Sequence, residues 1–360
     1  MDDGPYRALG LPRVINAAGK MTALGGTAQS PEVARALAAA ASHHVDLPAL
    51  RRVAGDTVAR RTGAEAATIT TGAAAGIAIG VAAMITGTDE ALVSRLPDTE
   101  GLANEVVLQA GHDVFFGATV GQMIRLGGGR PVTVGSRDSV TAQALSQALG
   151  ARTAGLVYVC SHHTRQQGGI ALDEFLRIAH ERGLPVLVDA AAEEDLESFI
   201  AAGADLVTYS GGKAIGGPTV GFIAGTGTLI AACELQNRGI ARAMKVGKEQ
   251  IMGLLAALER YPGPATWPGR LAALQHALEG VPGIRVSIEA DLAGRDIRRL
   301  GLRMDSVARL ESLVAKLRAG DPAIYTRDHQ IGEGLVLFDL REVADADVAV
   351  IGRRVREALE

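Results

Sequence analysis

Cysteine and one-sided runs of charge are what this sequence lacks. Two cysteines in 360 residues, Cys160 and Cys233, cannot form a disulfide framework, and we therefore expect a reducing, cytoplasmic setting. The net charge is −4 and no basic block occurs, which argues against a nucleic-acid partner. The N-terminus has neither the basic nor the apolar region of a signal peptide, and residues 73–86, the most apolar helix candidate, are too few to span a bilayer. We therefore expect no membrane partner.

Lysine is the second scarcity, because only five lysines accompany 31 arginines. One of them, Lys213, lies in the glycine-rich loop 211–217 after a predicted strand at 206–209, and glycines let a ligand approach the backbone closely. A nucleotide-binding P-loop is excluded, because Val207 stands at its first glycine position and Ala214 follows the lysine. Two interpretations remain: a solvated loop lysine, or a lysine that forms a Schiff base with pyridoxal phosphate. The second requires a carboxylate for the pyridine nitrogen and a binding turn for the phosphate.

Apolar strands separated by helices run through the middle of the chain, which is typical of an α/β fold with a mainly parallel sheet. The predicted strands are 67–71, 105–109, 131–134, 155–160, 185–189, 206–209 and 220–224. A proline-rich break at 262–268 precedes a smaller α+β unit. We predict an N-terminal segment with helices at 1–62, a large domain at 63–262 and a small C-terminal domain at 263–360. Ligands of such folds bind at the carboxyl ends of the strands, so polar residues there are site candidates.

Two strand ends supply the groups that pyridoxal phosphate requires. Asp189 ends the apolar run 186–189, where its carboxylate could hold a pyridine nitrogen protonated or could cap the next helix. Residues 70–76 join a strand to a helix, and amides at a helix start suit a phosphate dianion, although a packing turn of small residues has the same composition. The phosphate ligands would be Thr71, Gly72, Ala73 and Ala74. Ser210, three residues before Lys213, could add a phosphate hydroxyl or cap the turn.

Histidines and a serine at other strand ends are candidates for contacts with the cofactor ring. His112 offers a flat ring that could stack on the cofactor, or it has only a structural role. Ser161 could place a hydroxyl beneath the ring, and the next residue, His162, could meet the substrate. A metal site is disfavoured, because His162 and His163 are adjacent in the chain and no matching cluster of ligands exists.

Basic residues are the remaining candidates for substrate binding. Arg242 and Lys245, with Lys248 beyond them, could bind a phosphorylated substrate or a neighbouring subunit's cofactor phosphate, or they could form a solvated face. Arg327, at the end of a predicted strand of the small domain, could clamp a substrate carboxylate with two parallel hydrogen bonds. Asn16, in the short apolar run near the N-terminus, completes the candidate substrate-binding set.

Several strings in the chain are far longer than a short motif: Ser161–His163, Val188–Leu196, Tyr209–Ile215 and Gly239–Lys248. They resemble the fold-type-I (aspartate aminotransferase-like) pyridoxal-phosphate enzymes, and more closely their selenocysteine synthase-like (SelA-like) branch. The resemblance implies that Lys213 is the Schiff-base lysine, that Asp189 is the pyridine partner and that the turn at Thr71 binds phosphate. It places His112 in the ring-stacking position. It also implies pyridoxal 5′-phosphate as cofactor and a homodimer or larger homo-oligomer.

The activity we expect from this resemblance is that of a lyase, which removes water and ammonia from an amino sugar acid and leaves a 2-keto-3-deoxy acid. Alternatives are an amino-acid racemase or epimerase, another β-eliminating lyase, and a catalytically silent protein that keeps the fold. We do not expect selenocysteine synthesis, because the synthases carry a longer N-terminal region that handles transfer RNA. This chain begins almost directly at the segment containing Asn16.

Overall fold

The computed structural model describes residues 5–160, 168–262, 267–291 and 296–360, and the chain divides into two compact units. In chain order, the strands of the described residues are β1 (Val14–Ala17), β2 (Ala66–Thr70), β3 (Glu105–Gln109), β4 (Arg130–Val134), β5 (Thr153–Val159), β6 (Val186–Asp189), β7 (Leu206–Ser210), β8 (Gly221–Gly225), β9 (Arg285–Ala290), β10 (Arg298–Arg303), β11 (Ala323–Thr326) and β12 (Leu335–Phe338). The helices are α1 (Pro31–Ala41), α2 (Leu47–Thr62), α3 (Ala73–Thr86), α4 (Glu90–Arg95), α5 (Val120–Leu126), α6 (Ala142–Ala148), α7 (Leu172–His180), α8 (Ser198–Ala201), α9 (Gly227–Leu235), α10 (Lys248–Arg260), α11 (Trp267–Ala277), α12 (Val307–Arg318) and α13 (Asp345–Leu359). No helix among these is both long and apolar enough to cross a membrane.

The two units divide the chain differently from the three predicted segments. Residues 29–262 form the larger unit, and residues 1–28 join 263–360 in the smaller one. The predicted N-terminal segment 1–62 is therefore split. Its strand β1 pairs in parallel with β11, whereas its helix α2 packs on β2. A strand at one end of the sequence can join a sheet built from the other end, and sequence spacing alone does not reveal such a long-range pairing.

The larger unit is built on a seven-stranded sheet in the order β2-β8-β7-β6-β5-β3-β4. Strands β7, β6, β5, β3 and β4 are paired in parallel, while β8 runs antiparallel to both β7 and β2. Strand β6 is buried along its whole length, as a strand covered on both faces requires. The mainly parallel α/β sheet predicted from the alternating pattern is confirmed, and the carboxyl ends of β3, β5, β6 and β7 share one edge.

Helix α3 packs closely on the central strands of this sheet because two of its residues are glycines. A Cβ atom built on Gly76 would lie 1.9 Å from the Oγ1 of Thr208 in β7, and one on Gly80 would lie 3.0 Å from a methyl carbon of Leu187 in β6. No side chain fits in the first gap. The helix start is therefore held over the strands that carry Asp189 and Ser210.

The smaller unit contains the β1–β11 pair and an antiparallel sheet in the order β12-β10-β9. Helices α11, α12 and α13 contribute apolar side chains to its core. Strand β10 was not predicted, because Arg298, Arg299 and Arg303 obscure the alternation of Leu300 and Leu302, both fully buried. The helix α4 was also missed, being only six residues long.

Candidate active site

The carboxyl ends of β6 and β7 bring Asp189 and the lysine turn to one edge of the sheet. Asp189 is the last residue of β6 and pairs in register with Thr208 of β7. Beyond the strands the two segments stay joined, because the Ser210 N–H donates a hydrogen bond to the Ala191 carbonyl at 3.3 Å. The parallel pairing therefore places Asp189 beside the end of β7, where Ser210 begins the turn that holds Lys213.

Asp189 is a buried carboxylate with one main-chain donor. The residue is 6% exposed, and the Ala191 N–H donates to its Oδ1 at 3.1 Å. Burial raises the pKa of Asp189 to about 6, while the positive charge of Lys213 and the Ala191 bond lower it and the charge of Glu193 raises it. A carboxylate that is costly to keep charged in isolation is stabilised by a cation brought against it. The protonated nitrogen of a pyridine ring is such a cation.

The turn that carries Lys213 depends on glycine. The Gly211 N–H donates to the Val220 carbonyl at 2.7 Å, and the Gly217 N–H donates to the Gly211 carbonyl at 2.7 Å, so that the turn is closed by main-chain bonds. A Cβ on Gly211 would lie 2.7 Å from Cγ1 of Val220, so any side chain at this position would clash with Val220. Lys213 is half-buried in this turn and lies close enough to lower the pKa of Asp189.

The turn between β2 and α3 presents main-chain amides that the helix does not use. Gly72 is the N-cap residue, and no side chain caps the helix there, in contrast to the serine, aspartate and threonine caps of α1, α2 and α5. The first bond of the helix runs from the Gly76 N–H to the Gly72 carbonyl, so the N–H groups of Ala73 and Ala74 have no acceptor within the helix. The Thr70 hydroxyl fixes the turn by donating to the Gly72 carbonyl at 3.0 Å. Such a helix start binds phosphate.

The phosphate turn and the lysine turn lie on either side of Gly221, the first residue of β8. Gly221 pairs in register with Thr70 on β2 and with Ser210 on β7. A Cβ on Gly221 would lie 2.7 Å from the Cα of Gly72, so the absence of a side chain brings the two turns together. Thr71, predicted as a phosphate ligand, is half-buried in this turn.

His112 is hydrogen-bonded to the end of β5, at the same edge of the sheet. It ends a 3-10 turn after β3 and is 3% exposed, and its Nδ1 accepts a hydrogen bond from the Val159 N–H at 3.0 Å. Val159 is also the register partner of Asp189, so one residue of β5 fixes the positions of both His112 and Asp189. Burial lowers the pKa of His112 to about 4. The imidazole is therefore neutral at physiological pH, with its proton on Nε2.

The support behind His112 was not predicted from the sequence. The Gln109 side chain donates to the Ile170 carbonyl at 3.1 Å and accepts from the Ile170 N–H at 2.8 Å, which fixes its amide 3.4 Å from the His112 Nε2. Tyr158 packs edge-on against the imidazole, with ring centroids 4.5 Å apart. A polar residue closing an apolar strand, three positions before the histidine, is the sequence signal that identifies Gln109.

Arg242 and Lys245 are exposed, and neither side chain has a hydrogen-bond or ion-pair partner in the described part of the chain. They lie on and just after the 3-10 turn Ile240–Met244. Lys248 behaves differently, because its amine donates to the carbonyls of Ala40 and Ala41 at 2.6 and 3.0 Å, at the end of α1. The predicted trio of cations is thus reduced to two, and Lys248 has a structural role.

Two predicted substrate-binding residues, Asn16 and Arg327, belong to the smaller unit. The Asn16 side chain closes its own turn, accepting from the Ala18 N–H at 3.0 Å and donating to the Gly19 carbonyl at 2.8 Å. Its carboxamide oxygen is therefore already engaged, which weakens its assignment as a substrate ligand. Arg327 follows β11, and its buried Nε has no hydrogen-bond partner among the described residues. Ser161 and His162 lie outside the described residues.

The larger unit thus gathers most of the predicted cofactor residues at one edge: Thr71, Gly72, Ala73, Ala74, His112, Asp189, Ser210 and Lys213. Their chemistry fits pyridoxal phosphate on three counts. The uncapped helix start offers donors for the phosphate, the buried Asp189 offers a partner for a cationic ring nitrogen, and Lys213 offers a primary amine for the aldehyde. Among the described residues, no group of histidine, cysteine, aspartate and glutamate side chains could hold a metal ion.

Comparison with known proteins gives a family for this arrangement. Residues 14–286 match the family model described as L-seryl-tRNA selenium transferase, SelA. A D-glucosaminate-6-phosphate ammonia lyase from Salmonella typhimurium is 48% identical over 360 residues, which cover 99% of this chain and 98% of that protein. A 5′-C-glycyluridine monooxygenase-decarboxylase from a Streptomyces species is 44% identical, over 98% of this chain and 92% of the relative.

A solved structure of D-glucosaminate-6-phosphate ammonia-lyase matches with a TM-score of 0.95 and 47% identity, covering 100% of this chain and 99% of that one. Other solved structures, at TM-scores of 0.54 to 0.58 and identities of 14% to 16%, share the fold. These matches confirm the predicted fold-type-I architecture and, with the family model, the predicted cofactor, pyridoxal 5′-phosphate.

Proposed function

The chain belongs to the L-seryl-tRNA selenium transferase (SelA) family, and we propose that within it the protein is a pyridoxal-phosphate-dependent ammonia-lyase acting on D-glucosaminate 6-phosphate or a close relative. The observation that carries the proposal is the 48% identity to a lyase of that name, which extends over 99% of the chain and so takes in both units. The site residues in the larger unit supply the groups that such a reaction needs.

When bound, pyridoxal phosphate supplies an electron sink that acidifies the Cα–H bond of an amino acid joined to it. Asp189 would hold a proton on the ring nitrogen, since its buried carboxylate would gain a cationic partner there. The amides of Ala73 and Ala74, with the hydroxyls of Thr71 and Ser210, would bind the cofactor phosphate. His112 would offer its neutral ring to the cofactor ring.

Lys213 would hold the cofactor through its primary amine. Its Nζ would also serve as the base that takes the proton from the substrate C2, and the neighbouring Asp189 carboxylate would influence how readily it does so. Water is lost between C2 and C3 and regained at C2 as the amine leaves, so the net reaction releases one ammonia and yields a 2-keto-3-deoxy acid. Arg242 and Lys245, exposed cations with no partner in the described residues, bind the substrate phosphate, and Arg327 binds its carboxylate.

We also infer that the protein works in the cytoplasm as a homodimer or larger homo-oligomer with small-molecule partners. Both cysteines are free thiols, as a reducing compartment favours. Light scattering on the purified protein tests the assembly, and a monomer at micromolar concentration would contradict it.

A second candidate function is oxidative decarboxylation of an amino acid. The observation in its favour is the 44% identity to the Streptomyces monooxygenase-decarboxylase. Purified protein with pyridoxal phosphate is incubated with D-glucosaminate 6-phosphate, D-glucosaminate, both enantiomers of serine and 5′-C-glycyluridine. Ammonia, 2-keto acid, carbon dioxide and dissolved oxygen are measured. The lyase releases ammonia and keto acid in equal amounts and consumes no oxygen. Oxygen uptake with loss of carbon dioxide supports the second function. Exchange of the C2 hydrogen in heavy water without ammonia release identifies a racemase or epimerase.

A further inference from the structure

Five charged side chains cluster in the smaller unit: Arg299, Arg327, Arg341, Asp291 and Asp339. The cluster lies inside the fold, with Arg299 4% exposed and Asp339 fully buried. Three guanidinium groups thus meet two carboxylates. Taking charges out of water is costly unless each is paired, so the way these groups share their bonds determines which of them is left over.

Asp339 is fully committed to two arginines. Its Oδ2 accepts from the Arg299 Nε at 3.0 Å and from the Arg341 Nη2 at 2.9 Å, and its Oδ1 accepts from the Arg341 Nε at 3.0 Å. Burial alone favours the neutral acid, yet Arg341 and Arg299 hold the pKa of Asp339 at about 2. The carboxylate is therefore ionised and occupied.

Arg299 also binds the second carboxylate. Its Nη1 donates to Asp291 Oδ1 at 2.9 Å, in addition to the bond from its Nε to Asp339. The position of Arg299 follows from the sheet. Leu300 pairs with Phe338, the last residue of β12, so Arg299 just before Leu300 can reach Asp339 just after Phe338. One buried arginine thus bridges both carboxylates of the cluster.

Arg327 is the cation that these carboxylates do not bind. Its main chain pairs with Leu337 on β12, but its buried Nε has no hydrogen-bond partner among the described residues. Burial lowers the pKa of Arg327, as does repulsion from Arg299 and Arg341, while Asp339 and Asp291 act in the opposite direction without bonding to it. A guanidinium left unpaired in a buried cluster is suited to a bidentate anion such as a carboxylate.

We propose that Arg299 is a positioning residue, which holds Asp291 and Asp339 away from Arg327 and so keeps Arg327 open to the carboxylate of a ligand. The inference rests on the proposed function, which supplies a ligand with a carboxylate. Arg299 touches no ligand itself. Without it, both aspartates lose a donor and turn to Arg327, which already feels their charge and whose buried Nε has no hydrogen-bond partner among the described residues.

The test uses holoenzyme and two probes that differ only in the carboxylate, D-gluconate 6-phosphate and D-glucitol 6-phosphate. Their dissociation constants are measured by calorimetry for the wild type, Arg327→Met and Arg299→Met. A fourth variant, Arg299→Met with Asp291→Asn, removes a balanced charge pair and guards against misfolding of the single variant. The matched control is Arg303→Met, at the end of the same strand, where Arg303 pairs with Glu289 near the surface at 3.4 Å.

The wild type and Arg303→Met are expected to bind the carboxylate probe about tenfold or more tightly than the alcohol, the range of a charged hydrogen-bonded pair. In the other three variants this preference is expected to fall to about threefold or less, with affinity for the alcohol unchanged. A merely structural role for Arg299 would weaken both probes together and leave their ratio intact, which would overturn the inference.

Two further results overturn it: a wild type that binds both probes equally, whatever the variants do, and Arg299 variants that keep the full preference while Arg327→Met loses it. Ammonia release from D-glucosaminate 6-phosphate is assayed separately. A wild type with an Arg299-dependent preference but no ammonia release contradicts the proposed function and leaves the inference standing. A wild type that releases ammonia but does not prefer the carboxylate probe contradicts the inference and leaves the proposed function standing.

Discussion

Asp189 and Thr208 are paired in register on adjacent parallel strands, and Lys213 follows Thr208 by five residues. This pairing explains how a carboxylate and an amine that are 24 positions apart in the chain become electrostatic neighbours. Asp189 cannot be well solvated, and Lys213 partly offsets the cost. Asp189 can therefore bind the ring nitrogen of a cofactor while Lys213 binds its aldehyde. The two contacts can be tested separately.

Replacing Asp189 with asparagine should remove a pH-dependent part of cofactor affinity. The pKa of Asp189 is raised to about 6, so its carboxylate is available above that pH and protonated below it. We expect the wild-type apoenzyme to bind pyridoxal phosphate about tenfold more tightly than Asp189→Asn at pH 8, and with nearly equal affinity at pH 5. Fluorescence titration at both pH values measures this, and the variant serves as control for groups that titrate in both proteins.

The Asp189→Asn substitution should have the opposite effect on the stability of the apoenzyme: it weakens cofactor binding at pH 8 but should stabilise the fold there. The folded-state pKa of Asp189 lies above its unfolded value, so its contribution is fully present below about pH 4 and lost as the pH rises through about 6. Asp189→Asn should therefore unfold at higher urea than the wild type at pH 8, with the difference shrinking toward pH 4. A variant that is less stable than the wild type at pH 8 would contradict a carboxylate whose burial is only partly offset by Lys213.

His112 should contribute through its ring and not through its charge. The pKa of His112 is lowered to about 4, so it stays neutral from pH 5 to 9, and stability linked to it is lost only as the pH falls from about 6.5 toward 4. We expect His112→Phe to retain most cofactor affinity and His112→Ala to lose it. His112→Phe also deprives the Val159 N–H of its Nδ1 acceptor, which should cost about 1 kcal/mol in urea unfolding. Equal cofactor affinity in all three proteins would exclude ring stacking.

Gly76 should be intolerant of a methyl group. A Cβ at this position would lie 1.9 Å from the Oγ1 of Thr208, a buried β-branched residue whose hydroxyl already donates to the Phe222 carbonyl. Gly76→Ala should therefore push α3 off the sheet, with a loss of about 1–3 kcal/mol in the free energy of unfolding and weaker cofactor binding. Gly150→Ala, where nothing lies within 4 Å of the new atom, is the control and should change neither quantity. Similar behaviour of the two variants would contradict the close approach.

Removing Arg242 or Lys245 should reveal whether the substrate phosphate is bound there. For Arg242→Met and Lys245→Met we expect kcat/KM to fall about tenfold for D-glucosaminate 6-phosphate and little for D-glucosaminate, since only the phosphorylated compound loses a charged contact. Arg238→Met, which breaks an exposed pair with Glu90 at 3.1 Å, is the matched control. Equal losses on both substrates would place the phosphate elsewhere.

The sequence predicts this edge of the sheet well because its signals are local. Apolar runs mark β6 and β7, and parallel strands end at a common edge, so the positions of Asp189 and Lys213 follow from periodicity alone. The function of those residues required more than periodicity, namely the long strings shared with the SelA branch. Gly72 of the phosphate turn is also recognisable from the local sequence, because it separates a predicted strand from a predicted helix.

Long-range pairing is what the sequence could not reveal. The bond from Val159 to His112 and the alignment of Arg299 with Asp339 depend on strand register between distant segments. A solvated cation and a structural cation also have the same appearance in sequence, so Lys248 was grouped with Arg242, although it caps the carbonyl end of α1. The sequence also does not reveal that the Asn16 carboxamide closes a local turn, and substrate binding by Asn16 stays a prediction.

Borohydride reduction followed by peptide mass mapping tests most directly whether Lys213 carries the cofactor. The protein has five lysines, so every alternative site can be distinguished. We expect a pyridoxyl group on Lys213 in the wild type and none on any lysine of Lys213→Ala, together with loss of ammonia release in that variant. A colourless wild type that takes up no pyridoxal phosphate, a label on another lysine, or undiminished turnover in Lys213→Ala would contradict it.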